Sequence, residues 1–347
     1  MDDDIRMIAD ATGRIFADLA DLQTVNAASD AGFRAPLWDA LQESGITRAW
    51  LAEEAGGAGL PIDGGFEILR VAGHHACPVA LAETLLAGWA LAEAGLEVPE
   101  GVLTLAPIRG HDALVLENGA LSGTARSIPH AADAAALVVV HADQVMRLAP
   151  GSYTVSPRDT DMGGERADVL LDGATPDQTA MLSGAAGAVE AMGAVARACQ
   201  MTGALETALA LATDYTGERE AFGRKIGKFQ AVQQMMARLA GEVAAAITAS
   251  GSAADTLSRD GLGSDAAFLE VAAAKIRVGE AAHEGAMIAH QAHGAIGWTS
   301  DYVLQRLTRR IWGWRDDFGS EADWAVRLGR FAAGQGADQL WPMLTTR

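Results

Sequence analysis

One short segment of the sequence, Glu218 to Gln234, carries the residues best suited to binding a charged ligand. It places a guanidinium at Arg219, an aromatic ring at Phe222 and a side-chain amide at Gln230 around a turn that two glycines permit. An arginine suits a pyrophosphate because its planar donors can bind two oxygens together. Taken alone, however, the segment is better explained as a turn between two helices with a solvated arginine.

Three histidines, His283, His290 and His293, require a test for a metal site. They are seven and three residues apart, so on a helix they could share one face. No carboxylate or cysteine joins them at the spacing of a metal-binding motif. The sequence therefore predicts no metal.

A glycine-rich segment and two cysteines give weaker signals. Glu54 to Pro61 resembles a phosphate-binding loop only superficially, because it follows neither the GxGxxG nor the GxxxxGKS pattern. Cys77 and Cys199 lack CxxC spacing. We expect both to be small buried hydrophobic side chains.

The composition argues against several classes of function. The chain has 347 residues, 50% of them hydrophobic, and a formal net charge of -19. This charge opposes binding to nucleic acid and to anionic membranes. The apolar stretches fall far short of the roughly 18 to 20 residues that span a bilayer. The first ten residues carry acid where a secretory signal would carry base, so we expect a globular cytoplasmic protein without membrane insertion.

Helical periodicity dominates both ends of the chain. Near the amino terminus apolar residues recur at three- and four-residue spacing, as in Ile8, Ile15 and Leu19. Helical spacing returns after Met181 over unusual lengths, which is typical of an antiparallel bundle. The predicted bundle helices cover residues 181–217, 229–258, 264–294 and 300–315, and a final helix follows Ser320. Trp298, Trp312, Trp314 and Trp324 lie in this part, and we expect them in the core or a subunit interface rather than in a substrate pocket.

The middle of the chain has the pattern of strands. Between Val102 and Gly173 short apolar runs alternate with turn residues, and Asn118-Gly119 is the clearest hairpin signal. We therefore expect a small antiparallel β unit. The predicted domains are residues 1–100 (helical), 101–180 (a shortened β domain) and 181–347 (a helical bundle).

Two motifs in the carboxy-terminal part resemble those of acyl-CoA dehydrogenases. The segment Glu218 to Gln234 is similar to the family's RxxFGxxIxxFQxxQ signature, and Gln291 to Gly297 is similar to its QxxGGxG turn about 70 residues later. Glu54 to Leu60 resembles the EE.GGxGL element, and the strands from Leu116 to Asp133 resemble its LNGxKxxxxxAxxAD pair. The resemblance implies a mainly α fold with a small β domain: an amino-terminal helical domain, a middle antiparallel β segment and a carboxy-terminal four-helix bundle.

The resemblance also implies FAD as the cofactor. In this family each FAD lies at a dimer interface, where the two motifs hold the ADP part of the neighbouring subunit's flavin. Carried over by position, the cofactor-binding residues are Arg219, Phe222, Gln230, Gln291, Gly294 and Ser320. Ser320 takes the place of the threonine in the family's YEGT motif, on the adenine side, and Ala295 replaces the second glycine of the QxxGGxG turn.

The catalytic base of the family is missing from both of its usual positions. The family removes an α-proton from an acyl-CoA thioester with a glutamate and transfers the β-hydrogen to flavin as hydride. The glutamate of YEGT corresponds to Phe318, and the alternative position on the first helix of the bundle corresponds to Gly193. Glu190, three residues before Gly193, would share its helical face and is the nearest substitute. A solvated helix charge is the more ordinary explanation of Glu190.

The strand that cradles the flavin ring in the family is also missing. The family's T-E-P-x-x-G-S-D element has no counterpart in Thr104 to Asp112. Retained contacts to a neighbour's FAD, together with loss of the chain's own cradle, resemble the shorter subunit of heteromeric α2β2 acyl-CoA dehydrogenases. Known members act on CoA thioesters of bulky side chains such as those of steroids. The implied partners are a longer subunit with the base, an acyl-CoA, and an electron-transfer flavoprotein or similar acceptor.

Three functions therefore remain open from the sequence. The chain could be the subunit without a base in a heteromeric enzyme. It could be a self-sufficient homo-oligomeric dehydrogenase in which Glu190 is a displaced base. It could also be a non-enzymatic helical scaffold or acyl-CoA-binding protein.

Overall fold

Helices form both ends of the chain and strands form its middle in the computed structural model, which describes residues 3–28, 31–110, 112–158 and 166–345. The predicted fold class, mainly α with a small β domain, is confirmed. The amino-terminal helices are α1 (Asp3–Leu19), α2 (Leu22–Ala27), α3 (Arg34–Glu43), α4 (Ile62–His74) and α5 (Leu81–Glu93). Helix α5 is buried over nearly its whole length, so it lies inside the molecule rather than on its surface.

In the described part of the middle segment, the strands form two four-stranded sheets. The first contains β1 (Leu103–Ala106), β4 (Ala136–His141), β5 (Gln144–Leu148) and β8 (Gln178–Met181) in that spatial order. The second has the order β2 (Leu114–Glu117), β3 (Ala120–Pro129), β7 (Arg166–Ala174) and β6 (Thr154–Arg158). Their buried aliphatic residues are continuous with the helical core.

The predicted hairpin at Asn118-Gly119 is confirmed. Glu117 pairs with Ala120 across the turn, and Asn118 and Gly119 have φ angles of 50° and 80°. Two consecutive positive φ angles are typical of the tight turn that matches the twist of a hairpin. The expectation of a purely antiparallel unit is wrong at one place, because β1 pairs with β4 in parallel. Between β1 and β4 the chain forms the β2–β3 hairpin, which belongs to the other sheet. The chain then re-enters the first sheet as β4, running in the same direction as β1.

Long helices form the carboxy-terminal part close to their predicted limits. They are α6 (Ala185–Glu218), α7 (Gln230–Asp260), α8 (Asp265–His293) and α9 (Leu304–Arg315). The single final helix predicted after Ser320 is wrong, because α10 (Glu321–Gln335) and α11 (Ala337–Thr345) are separate helices. Gly336 between them has a φ angle of 84°, which cannot continue a right-handed helix. In the described ranges no helix is both long and apolar enough to cross a membrane.

Helices α4 and α6 cross at two glycines. A Cβ atom on Gly73 would lie 2.2 Å from the Gln200 carbonyl oxygen, and one on Gly203 would lie 1.9 Å from the Arg70 carbonyl oxygen. The backbones are therefore in direct contact, and neither position has room for a side chain. This crossing fixes the amino-terminal helices against the bundle.

We expect Gly203→Ala to lower the free energy of unfolding by about 2 to 3 kcal/mol, because the new methyl group can be accommodated only by moving backbone. Chemical denaturation of the purified chain measures the change. Gly241→Ala is the matched control: Gly241 lies within α7 with open space around its Cα, so alanine should stabilise by about 0.5 to 1 kcal/mol. Equal effects of the two substitutions would show that the crossing is not closely packed.

Candidate functional site

Five of the six residues predicted to contact FAD lie at one end of the helical bundle, whereas Ser320 lies near Phe318, which contacts Gly193 towards the other end of α6. Arg219 directly follows the last residue of α6, and Gly294 directly follows the last residue of α8. The Tyr215 ring, one turn before Arg219, stacks on the His293 ring with 4.6 Å between centroids. This contact holds the ends of α6 and α8 together, and α7 begins nearby at Gln230. The structure thus brings the two sequence motifs to the same end of the bundle.

A short hairpin presents Phe222 to solvent. Strands β9 (Glu220–Ala221) and β10 (Arg224–Lys225) are antiparallel, and Phe222 and Gly223 form the turn with φ angles of 51° and 76°. Phe222 is 96% exposed. An aromatic residue with positive φ is strained by about 1 to 2 kcal/mol, and here its ring gains little burial within the chain. Such a residue is suited to packing against a second molecule.

The polar residues around this hairpin have unused hydrogen-bonding groups. The side chains of Arg219, Gln230 and Gln291 are exposed, and none makes a hydrogen bond or ion pair to the described part of the chain. The hairpin segment also carries three further basic residues, Arg224, Lys225 and Lys228, although the whole chain has a net charge of -19. An anionic group from outside could therefore bind here without displacing an internal partner.

Ser320 is already engaged in a helix cap. Its hydroxyl donates to the Asp323 carboxylate at 2.7 Å, and its oxygen accepts the Asp323 N–H at 3.3 Å. The pair forms the capping box of α10. A contact from Ser320 to the adenine side of FAD stays a prediction, and it would have to share the hydroxyl with this cap.

Gly193 and Phe318, the two positions predicted to correspond to the family's base, are in direct contact. A Cβ atom on Gly193 of α6 would lie 2.4 Å from the ring of Phe318. Phe318 is only 4% exposed and has a φ angle of 57°. Its N–H donates to the Ile108 carbonyl at 2.8 Å, and its own carbonyl accepts from the Trp324 indole at 2.8 Å. The phenyl ring therefore fills the space next to Gly193, and the backbone of Phe318 is held on both sides.

A buried ion network lies directly beside Phe318. The Asp317 carboxylate, with no exposure, binds Arg166 through two hydrogen bonds of 2.8 and 3.0 Å and the Arg197 Nε at 3.0 Å. Arg197 also binds Glu83 at 2.6 Å. Burial would raise the pKa of Asp317, but the guanidinium groups of Arg166 and Arg197 outweigh it and hold this pKa below its ordinary value. No local pattern in the sequence indicates this network, because its members are far apart in the chain.

The segment Thr104 to Asp112, where the sequence lacks the predicted flavin cradle, lies in the same region. The Thr104 hydroxyl donates to the Pro129 carbonyl at 2.7 Å within the β segment, so it is not directed to a ligand. Arg109 lies 3.7 Å from Asp317 and 3.8 Å from Asp316. The predicted cradle segment also includes His111, which lies outside the described residues. What remains is a cavity of about 210 Å³ between residues 107–110, α6 and Phe318.

Glu190 lines this cavity but is paired. Its carboxylate binds Arg327 at 2.8 Å, and its side chain is 33% exposed. A general base needs a carboxylate that is free to accept a proton and largely desolvated. Glu190 meets neither condition in this arrangement.

The histidines and tryptophans serve packing. His290 stacks on the half-exposed Trp298 at 3.8 Å, whereas Trp314 and Trp324 are buried in the core. Among the described residues no three His, Cys, Asp or Glu side chains are placed to hold a metal ion. Cys77 and Cys199 are buried, as predicted, and burial raises the pKa of both thiols.

Comparison with known proteins relates the chain to acyl-CoA dehydrogenases. Residues 186–315 match the model of the acyl-CoA dehydrogenase C-terminal domain. The 3-sulfinopropanoyl-CoA desulfinase of Paraburkholderia xenovorans is 38% identical over 37% of this chain, and the glutaryl-CoA dehydrogenase of Desulfococcus multivorans is 37% identical over 31%. These matches span only 32% and 27% of the two relatives. Acyl-CoA dehydrogenase IpdE2 of Mycobacterium tuberculosis is 27% identical over 89% of this chain and 91% of its own.

Solved structures show that the similarity of fold extends over the whole chain. A chain of the ChsE4-ChsE5 complex from Mycobacterium tuberculosis superposes with a TM-score of 0.87 at 22% identity, covering 97% of this chain and 99% of that chain. A chain of the Tcur3481-Tcur3483 steroid ACAD G363A variant gives a TM-score of 0.83 at 24% identity, covering 96% and 99%. The fold is that of the acyl-CoA dehydrogenases. Within this fold, residues 186–315 match the acyl-CoA dehydrogenase C-terminal domain, and the chain as a whole is similar to acyl-CoA dehydrogenases.

We expect Gly193→Ala to destabilise the chain by about 1 to 3 kcal/mol, because its methyl group would overlap the pinned ring of Phe318. In a Phe318→Ala background the same substitution should cost less than about 0.5 kcal/mol, since alanine favours helix over glycine. A double-mutant cycle by chemical denaturation measures the coupling. Additive effects would show that the ring of Phe318 does not occupy the space next to Gly193.

Proposed function

We propose that this chain is the subunit without a catalytic base in a heteromeric, FAD-dependent acyl-CoA dehydrogenase. The observation that carries this proposal is the ring of Phe318 against Gly193, which fills the place of either base. A second, longer subunit of the same family would supply the base and the flavin cradle. This chain would complete the FAD site of that subunit, in an α2β2 assembly.

The hairpin end of the bundle and the chain's own pocket at Phe318 differ in how well they would fit FAD. At the hairpin end, Arg219 would bind the pyrophosphate, and Gln230, Gln291 and the Gly294 backbone would hold the rest of the ADP part. Phe222 would bury its ring against the cofactor or the other subunit. At the chain's own pocket, Phe318 and the segment 107–110 line a cavity of about 210 Å³, and they would leave little room for a flavin ring and its cradle. When bound, FAD accepts the hydride that leaves the substrate.

The proposed reaction forms an α,β double bond in an acyl-CoA thioester. Several relatives are named acyl-CoA dehydrogenases, and one similar structure is described as a steroid enzyme. We therefore propose a CoA thioester with a bulky, steroid-like side chain as the substrate. Electrons would leave through an electron-transfer flavoprotein or a similar acceptor. The subunit's own role is to hold the cofactor and the assembly, not to move the proton.

One alternative rests on a specific observation. Glu190 lines the cavity beside Phe318, so a self-sufficient enzyme could use it as a displaced base. This would require release of Arg327, which binds the carboxylate at 2.8 Å. It would also require the ring of Phe318 to leave the cavity. Both changes oppose contacts that the structure makes.

We expect co-expression with the longer subunit to give a yellow complex, and Arg219→Ala to release its flavin. Loss of a charge-assisted pyrophosphate contact should cost about 2 to 4 kcal/mol, which weakens FAD binding by about 30-fold or more. Flavin absorbance after gel filtration at low free FAD measures this. Arg259→Ala is the control, because Arg259 is similarly exposed but lies at the other end of α7. Full flavin occupancy in Arg219→Ala would contradict the assigned contact.

We expect Glu190→Gln to leave turnover of the complex within about threefold, because the base belongs to the partner. If Glu190 is instead the base, turnover should fall about 100-fold or more while flavin stays bound. Steady-state rates with an acyl-CoA and an artificial electron acceptor measure the difference. A fall of that size, with FAD content and folding intact, would contradict the heteromeric proposal and favour the self-sufficient enzyme.

A further inference from the structure

We propose that a small inorganic anion of halide size binds in a polar cavity beneath helix α9. The cavity holds about 10 Å³, which is room for one water-sized particle. Its polar lining comes from α5, α6, α9 and the β segment. The side chains that line it include Cys77, Glu83, His130, Arg166, Arg197 and Arg310. This site is separate from the proposed FAD contacts and does not depend on the proposed function.

Arg310 is the side chain that the cavity leaves without a partner. Its guanidinium makes no hydrogen bond or ion pair within the described ranges of the chain. Arg306, one helical turn earlier on the same face of α9, also has none there. Two like charges at this spacing repel each other. Burial lowers the pKa of Arg310 to about 10 and also lowers the pKa of Arg306, as expected where cations lack a counterion.

The carboxylates in and beside the cavity are already paired with other arginines. Glu83, which lines the cavity, is bound by Arg197 at 2.6 Å, and the neighbouring Asp317 carboxylate is bound by Arg166 and Arg197. The Cys77 thiol cannot serve as the counterion near neutral pH, because burial raises its pKa to about 11. Glu83 also attracts the Arg310 charge, but it is already paired with Arg197, so Arg310 has no carboxylate of its own among the described cavity residues.

An anion fits this arrangement better than a water molecule. A water molecule can accept a hydrogen bond from Arg310 but leaves its charge uncompensated, and an unpaired charge away from bulk solvent is costly. A halide is only slightly larger than water and accepts hydrogen bonds from several donors at once. Phosphate or sulfate would exceed the room available. The ligand class is therefore a monatomic anion, and chloride is the abundant example.

Crystals of the full chain grown with sodium bromide test the assignment directly. We expect a bromide anomalous peak in the cavity, in contact with the Arg310 guanidinium. A cavity that holds a water molecule and shows no bromide peak at high bromide concentration would overturn the proposal. This measurement does not depend on any variant being able to fold.

Thermal unfolding provides the second test. The midpoint in sodium chloride is compared with that in sodium gluconate at equal ionic strength, which cancels general screening. The chloride-specific shift should be larger in the wild type than in Arg310→Gln by about 2 °C or more. Arg259→Gln, at an exposed arginine with its own carboxylate partners, should retain the wild-type shift. The same shift in all three proteins would overturn the proposal.

Discussion

The packing around Phe318, beside the cavity lined by residues 107–110 and α6, depends on one buried carboxylate, that of Asp317. It binds Arg166 at the start of β7 and Arg197 of α6, and Arg197 in turn binds Glu83 of α5. These four charges join the β segment, the bundle and the amino-terminal helices at one place. Removing one member of such a buried pair typically costs about 3 to 5 kcal/mol, because the other charge is left without a partner. The network therefore fixes how the three parts of the chain meet.

The conformation of Phe318 follows from this constraint. Asp317 cannot leave its guanidinium partners, so the next residue takes a positive φ angle and directs its ring onto Gly193. The Ile108 carbonyl and the Trp324 indole then hold the backbone of Phe318 from both sides. A glutamate at position 318 would place a second carboxylate next to Asp317 in a site of low dielectric constant, where like charges are costly. A phenyl ring satisfies the packing without that cost.

Local sequence signals predicted the parts of this molecule that local physics determines. Asn118-Gly119 specifies a hairpin because both residues tolerate positive φ, and three- and four-residue apolar spacing specifies the bundle helices. The RxxFG segment likewise contains its own turn. Long-range contacts were not predictable in this way. Asp317 looks like an ordinary surface acid in the sequence, and its partners Arg166 and Arg197 are 151 and 120 residues away. Nor does any local pattern reveal that β1 pairs in parallel with β4.

The hairpin end of the bundle and the pocket at Phe318 differ in their unused hydrogen-bonding groups, and this difference bears on which chain the protein can assemble with. At the hairpin end, Arg219, Gln230 and Gln291 have donors without partners in the described chain, whereas at the pocket Phe318 and Asp317 are fully packed and bonded. Under the proposed function, a symmetric dimer of identical chains would bring each open end to a copy of the same packed pocket. The exposed donors would then have no flavin ring site to complete. A different chain with an open pocket would give the exposed residues a cofactor to bind, which is why we propose a heteromeric assembly.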